Sequence, residues 1–196
     1  MSSLDPLPYP DVQLRAILQR VKTIAMVGAS SNWNRPSYFV MKYLQGKGYR
    51  VIPVNPGIAG QMLLGEKAYG SLRDIAEPVD MVDIFRAAQY APGVVEDALR
   101  MNPRPRVIWM QLGVRNDAAA QLAEANGLKV VMNRCPKIEY GRLSSEIAWM
   151  GVNTRTLTSK RARILGGGIQ RMALDRATTA GAATPAAQRA ERTDVA

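Results

Sequence analysis

Thr23-Ile-Ala-Met-Val-Gly-Ala-Ser-Ser-Asn-Trp-Asn-Arg-Pro-Ser37 decides the fold. Its opening, Thr23–Val27, is a short apolar run ended by Gly28. A run of that length with no polar alternation reads as a strand buried on both faces, and such strands belong to parallel sheets. The stretch then feeds directly into a helix expected over Pro36–Gln45, with proline at the first helical position, where its missing N–H costs nothing. Strand, tight turn and helix in that order form the opening unit of an α/β nucleotide-binding domain.

The same alternation recurs outward from this unit. On its N-terminal side, Asp11 is expected to cap an amphipathic helix, Val12–Val21, with Val12, Ala16, Ile17 and Val21 on its apolar face. On its C-terminal side, Gly46 and Gly48 stop the second helix, and Arg50–Asn55 reads as a second strand. Pro53 argues that this strand lies at an edge or ends early. Ser71–Asp74 carries a capping-box pattern. Further strands are expected at Val79–Phe85, Arg106–Met110 and Leu128–Met132. Between them lie helices at Ala91–Met101 and, capped by Asn116 and closed by Gly127, at Asp117–Asn126. The fold class is therefore α/β: a doubly wound, mainly parallel five-stranded Rossmann-like sheet with helices on both faces. Right-handed crossovers put every loop that follows a strand at one edge of the sheet, and a ligand belongs there.

Composition limits the chemistry. The chain has 196 residues, 47% of them hydrophobic, which is enough to bury a core. It has no apolar run long enough to span a membrane, and no membrane association is expected. Residues 1–11 lack the basic-then-apolar order of a signal peptide. A single cysteine, Cys135, cannot form an internal disulfide and fits a reducing, cytoplasmic setting. Histidine is absent altogether, so no Ser–His or Cys–His pair, imidazole base or phosphohistidine is available.

The net charge of +10 is unevenly spread. Residues 1–158 are assigned to the domain and 159–196 to a basic Ala/Gly-rich tail without fixed structure. Arg155, Lys160, Arg161, Arg163, Arg171, Arg176, Arg189 and Arg192 face only Asp175, Glu191 and Asp194, so half of the excess charge sits in the last quarter of the chain. A basic tail suits nucleic acid or an anionic surface. This one lacks interleaved aromatics and any docking motif, so a solubilising extension is the preferred reading over nucleic-acid binding or partner capture.

The strand ends supply the candidate site. After the first strand, Gly28 permits a close backbone approach, and the N–H groups at the start of the Pro36 helix can face an anion. Ala29 lies in the turn, Ser30, Ser31 and Ser37 add hydroxyls, and Arg35 adds charge. The Gly-x-Gly-x-x-Gly pattern of NAD sites is missing, and the second strand ends Asn55-Pro56 without the acid that binds ribose hydroxyls. No P-loop motif occurs. A phosphate-rich ligand that is neither NAD nor ATP–Mg fits best. The third strand ends in Phe85-Arg86, a flat apolar ring and a guanidinium. The fourth brings Gln111, which can bond a ligand amide, and the fifth ends in Asn133-Arg-Cys-Pro136, which places Cys135 at the end of the last strand.

Together, Gly28-Ala-Ser30, Gly48-Tyr-Arg-Val-Ile-Pro-Val-Asn-Pro56, Val79–Arg86, Val107-Ile-Trp-Met-Gln-Leu-Gly-Val114 and Val130-Val-Met-Asn-Arg-Cys135 resemble the small stand-alone CoA-binding proteins. Those in turn resemble the N-terminal CoA-binding domain of the succinyl-CoA synthetase α subunit. The resemblance covers about Ile24 to Leu143. It implies coenzyme A or an acyl-CoA as ligand, with phosphates on the Gly28–Ser37 loop, Asn55-Pro56 bordering the adenosine and Phe85-Arg86 lining the nucleotide cleft. Synthetase activity is not implied, because its phosphorylated histidine has no counterpart. Relatives often carry a histidine where this chain has Tyr140. A non-catalytic CoA-binding module, open to homodimerisation, is the expected function. The alternative is an enzyme or redox carrier acting on a CoA thioester or disulfide through Cys135, with Arg134 and Lys137 favouring thiolate. No base can be named for it.

Overall fold

A computed structural model describes residues 9–144. In chain order these form α1 (Asp11–Arg20), β1 (Thr23–Val27), α2 (Pro36–Gly46), β2 (Arg50–Val54), a small hairpin of β3 (Met62–Leu63) and β4 (Glu66–Lys67), β5 (Met81–Ile84), α3 (Ala91–Leu99), β6 (Val107–Met110), α4 (Asp117–Ala125), β7 (Lys129–Val131) and α5 (Pro136–Leu143). β2, β1, β5, β6 and β7 form one sheet in that order, and every pairing is parallel. The expected doubly wound sheet is thus observed. The boundary at 158 and the tail over 159–196 lie outside the described residues.

Alternation along each buried strand divides the core into two layers. Ala25, Val27, Ile52, Val54, Val82, Ile84, Ile108 and Met110 pack with the alanines and valines of α3 and α4. Ile24, Met26, Val51, Met81, Trp109 and Val131 pack with α1, α2 and α5. Pro53 fits because β2 is the sheet's edge. Its carbonyl accepts from Tyr69 N on the outer side, so the missing N–H points away from β1 and no ladder bond is lost.

Several expectations need correction. Asp11 is not a cap: Pro10 holds that position, with φ of −58°, and Asp11 opens the helix. Its carboxylate takes a two-pronged bond from Arg142 of α5, at 2.7 and 2.9 Å. The apolar face of α1 is Leu14, Ile17 and Leu18, with Val21 buried just past its end, while Val12 is 76% exposed. The strands after β2 are shorter than their apolar runs. β7 ends at Val131, so Cys135 does not close a strand and instead occupies the N-cap position of α5. The β3–β4 hairpin and α5 were not anticipated. Ser71 and Asp74 do form the capping box, on a single 3₁₀ turn, and Asn116 caps α4 through Ala119 N.

The N-terminal segment is also tied down. Tyr9 Oη accepts from Met132 N at 2.8 Å, alongside the Asp11–Arg142 pair.

Candidate functional site

Chain order reverses between β1 and β5, because β2 lies to one side of β1 and β5, β6 and β7 to the other. The loops leaving β1 and β5 therefore diverge to opposite faces and open a crevice at the C-terminal edge of the sheet. A cleft of about 780 Å³ lies there, on the α2–α5 side. Ten of the candidate residues line it: Gly28, Ala29, Ser30, Arg35, Pro36, Ser37, Asn55, Phe85, Gln111 and Cys135. Pro56 and Arg86 line an adjoining groove of about 500 Å³, which shares Gly28 and Asn55 with the cleft. Ser31 lines neither.

Gly28 is where the two strand exits touch. Its φ is +91°, and a Cβ there would lie 3.2 Å from Phe85 Cβ and from Arg86 Cγ. The loop beyond it is shaped by its own short side chains. Ser30 Oγ accepts from Asn32 N, and Asn32 Oδ1 accepts from Asn34 N, so two consecutive local turns lead into α2. Asn55 braces this loop from β2. Its Nδ2 donates to Ala29 O at 2.7 Å while its Oδ1 accepts from Gly57 N. The side chain expected to border a ligand thus also fixes the shape of the loop. Arg35 is exposed and Ser37 is buried at the first turn of α2. Arg86 stacks on the Tyr90 ring, 4.1 Å from its centroid.

The far wall comes from the exits of β6 and β7. Trp109 Nε1 donates to Arg134 O, and Gly113 N donates to Asn133 Oδ1, which locks the two loops together. Gln111 and Cys135 are thereby brought to the cleft. Sequence reasoning missed Phe39, Val40, Leu112, Val114 and Ile138, all of which line the cleft and are apolar. It also missed Asp83, a fully buried carboxyl in the middle of β5. Gln111 Nε2 donates to both its oxygens at 3.1 Å. Burial pushes Asp83 up to about 8, and the Gln111 bond opposes this only in part.

Burial also pushes the Cys135 thiol up. The N–H groups of Ile138 and Lys137 pull the other way, and the charge of Asp83 adds to the rise. The thiol is therefore expected to be slow. Intact-mass labelling at pH 7 should leave the folded protein largely unmodified by a maleimide or by CoA disulfide, and urea should release full reactivity. Labelling at the rate of a free thiol would show the site to be open. Among the described residues no group of acids and cysteine is arranged to hold a metal ion, and no helix is long and apolar enough to cross a membrane.

Residues 22–141 match the family model for a CoA binding domain. The chain is 41% identical over 128 residues to the uncharacterized protein YneT of Bacillus subtilis, covering 65% of this chain and 92% of that one. It is 27% identical over 147 residues to the ADP-forming acetate–CoA ligase I of Archaeoglobus fulgidus, covering 71% of this chain but 21% of the ligase. Among solved structures, a hypothetical protein from Pyrococcus horikoshii superposes with a TM-score of 0.66 at 38% identity, over 74% of this chain and 99% of the other. With the five-stranded parallel sheet and the cleft at its switch point, the chain belongs to the family of CoA binding domains.

Proposed function

We propose that the protein binds coenzyme A or an acyl-CoA reversibly, through the loop after β1, and carries out no chemical step. One observation carries this reading. The cleft at the switch point is lined by two cations, Arg35 and Lys137, and by no carboxylate among the described residues. A crevice with that charge suits a polyanion.

In this reading the phosphates lie against Ser30, Ser37 and the first turn of α2, with Arg35 closing over them. Gly28 lets the backbone come close, and Asn55 holds the loop in shape. The nucleotide end extends toward Pro56 and Arg86 in the adjoining groove. The pantetheine arm runs the other way, past Phe85, where Gln111 can meet its amides. Phe85 supplies apolar surface at the centre. Catalysis has no support in the residues present: the thiol is buried, and no histidine stands anywhere in the chain. The basic tail plays no part in this reading.

Calorimetry with the full chain tests it. CoA should bind saturably, and NADH and NADPH at least about tenfold more weakly, since the loop after β1 lacks the dinucleotide glycines and no acid follows β2 to hold the ribose hydroxyls of NADH. Arg35→Ala should cost about tenfold or more, the worth of one charge-assisted bond, roughly 1.5–3 kcal/mol. The absence of any saturable CoA heat would overturn the proposal. Unchanged affinity in Arg35→Ala would displace the phosphates from this loop.

A further inference from the structure

Most exposed apolar side chains are scattered singly and need no explanation. Three in this protein are not scattered. Phe39 of α2 is 45% exposed, Leu112 after β6 is 55% exposed and Ile138 of α5 is 47% exposed, and all three line the same cleft. They converge from three separate elements onto its rim. Val114 and Phe85 continue the apolar wall inward.

The lining differs from place to place. The hydroxyls and Arg35 lie at the β1–α2 end with Phe39 one turn along α2, the Gln111 carboxamide lies on β6's exit, and Leu112, Val114 and Ile138 gather around β6 and α5, beside the Lys137 cation. A ligand with an anionic head, an amide-bearing arm and an apolar tip matches that order. Free CoA ends in a small thiol and would leave the exposed rim uncovered. A CoA thioester of an apolar acid would cover it.

We propose that the preferred ligand is an acyl-CoA whose apolar acyl chain lies over Leu112, Val114 and Ile138, with Phe39 closing from α2. This rests on the CoA reading of the cleft. Nothing in the rim would cleave the thioester. The Cys135 thiol, the side chain of the cleft best suited to attack a thioester, is buried, so the acyl group is held rather than transferred.

Titration calorimetry of the full chain with CoA, acetyl-CoA, butyryl-CoA and hexanoyl-CoA tests the proposal. Each buried methylene can add up to about fourfold in affinity, so hexanoyl-CoA should bind at least about tenfold more tightly than acetyl-CoA. In the double variant Leu112→Ser, Ile138→Ser the ratio of those two affinities should collapse to within about twofold. A flat series in the parent, with CoA itself bound, would overturn this inference and leave the proposed function standing. A steep series that persists in the double variant would overturn it as well, by placing the chain elsewhere. Absence of all binding would overturn both. Sedimentation of the same samples covers the competing occupant: if the parent is a dimer that the double variant dissolves, and the series is flat, the rim is a contact between copies.

Discussion

Asp83→Asn is expected to make the protein more stable at pH 8.5 and to remove much of its dependence on pH. Asp83 has no solvent exposure, and among the described residues its carboxyl is hydrogen-bonded by the Gln111 amide. Burial raises it from 3.8 to about 8 in the folded chain. In the unfolded chain it ionises near 4, so between about pH 4 and pH 8 the folded state holds a proton that the unfolded state has released. Stability then falls as pH rises through that window, by up to about 1.4 kcal/mol per pH unit, and levels off above it. Asparagine keeps the shape and a partner for Gln111 but has no proton to lose. Urea unfolding at pH 5, 7 and 8.5 reads the effect: the midpoint of the parent should drop across the series, and that of Asp83→Asn should drop much less. Parallel pH profiles for the two proteins would mean that Asp83 is not buried as described.

Gly28→Ala should damage folding and binding together. A residue with a Cβ is strained at φ of +91°, by about 1–2 kcal/mol. The new methyl would also sit 3.2 Å from Phe85 Cβ and Arg86 Cγ and 3.3 Å from Arg86 N, so the exits of β1 and β5 would have to part. Gly127→Ala supplies the comparison, since its φ is +82° but its Cβ would meet nothing within 4 Å. Gly127→Ala should show the strain alone. Gly28→Ala should lose about 1–2 kcal/mol more, consistent with overpacking, and at least tenfold in CoA affinity. Equal unfolding midpoints for the two variants, with CoA binding intact, would remove Gly28 from the centre of the site.

The sheet was legible because buried parallel strands leave short apolar runs that turn residues bound and helix-length patterns separate. Ile24–Val27 and Val107–Met110 are short, apolar and bounded, and β1 and β6 were placed to within one residue. The cleft followed from topology, since every strand exit had to share one edge. What escaped is what long-range partners decide. Asp11 looked like a cap because capping is local, yet its carboxylate is claimed by Arg142, far along the chain. α5 buries Pro136, Glu139, Gly141 and Leu143, a set with little apolar periodicity. β3 and β4 are two residues each, shorter than any pattern can mark. Asp80 and Asp83 look alike within one strand pattern. The first accepts from Lys22 N and Thr23 N at the sheet's start, while the second is sealed inside. The apolar rim of the cleft was invisible for a simpler reason: Phe39, Leu112 and Ile138 come from segments about a hundred residues apart at the extremes and meet only in the fold.

The two bonds that join Tyr9 to Met132 and Asp11 to Arg142 bring the start of the domain beside its final helix. The backbone of residues 9–144 is thus nearly a ring. A ring of that kind can be spliced into a longer polypeptide at one surface point without threading any strand past another. The segment could equally be cut open at an exposed turn and joined from its last described helix to Tyr9, and the parallel order of the sheet would be unchanged by the new order of its elements along the chain.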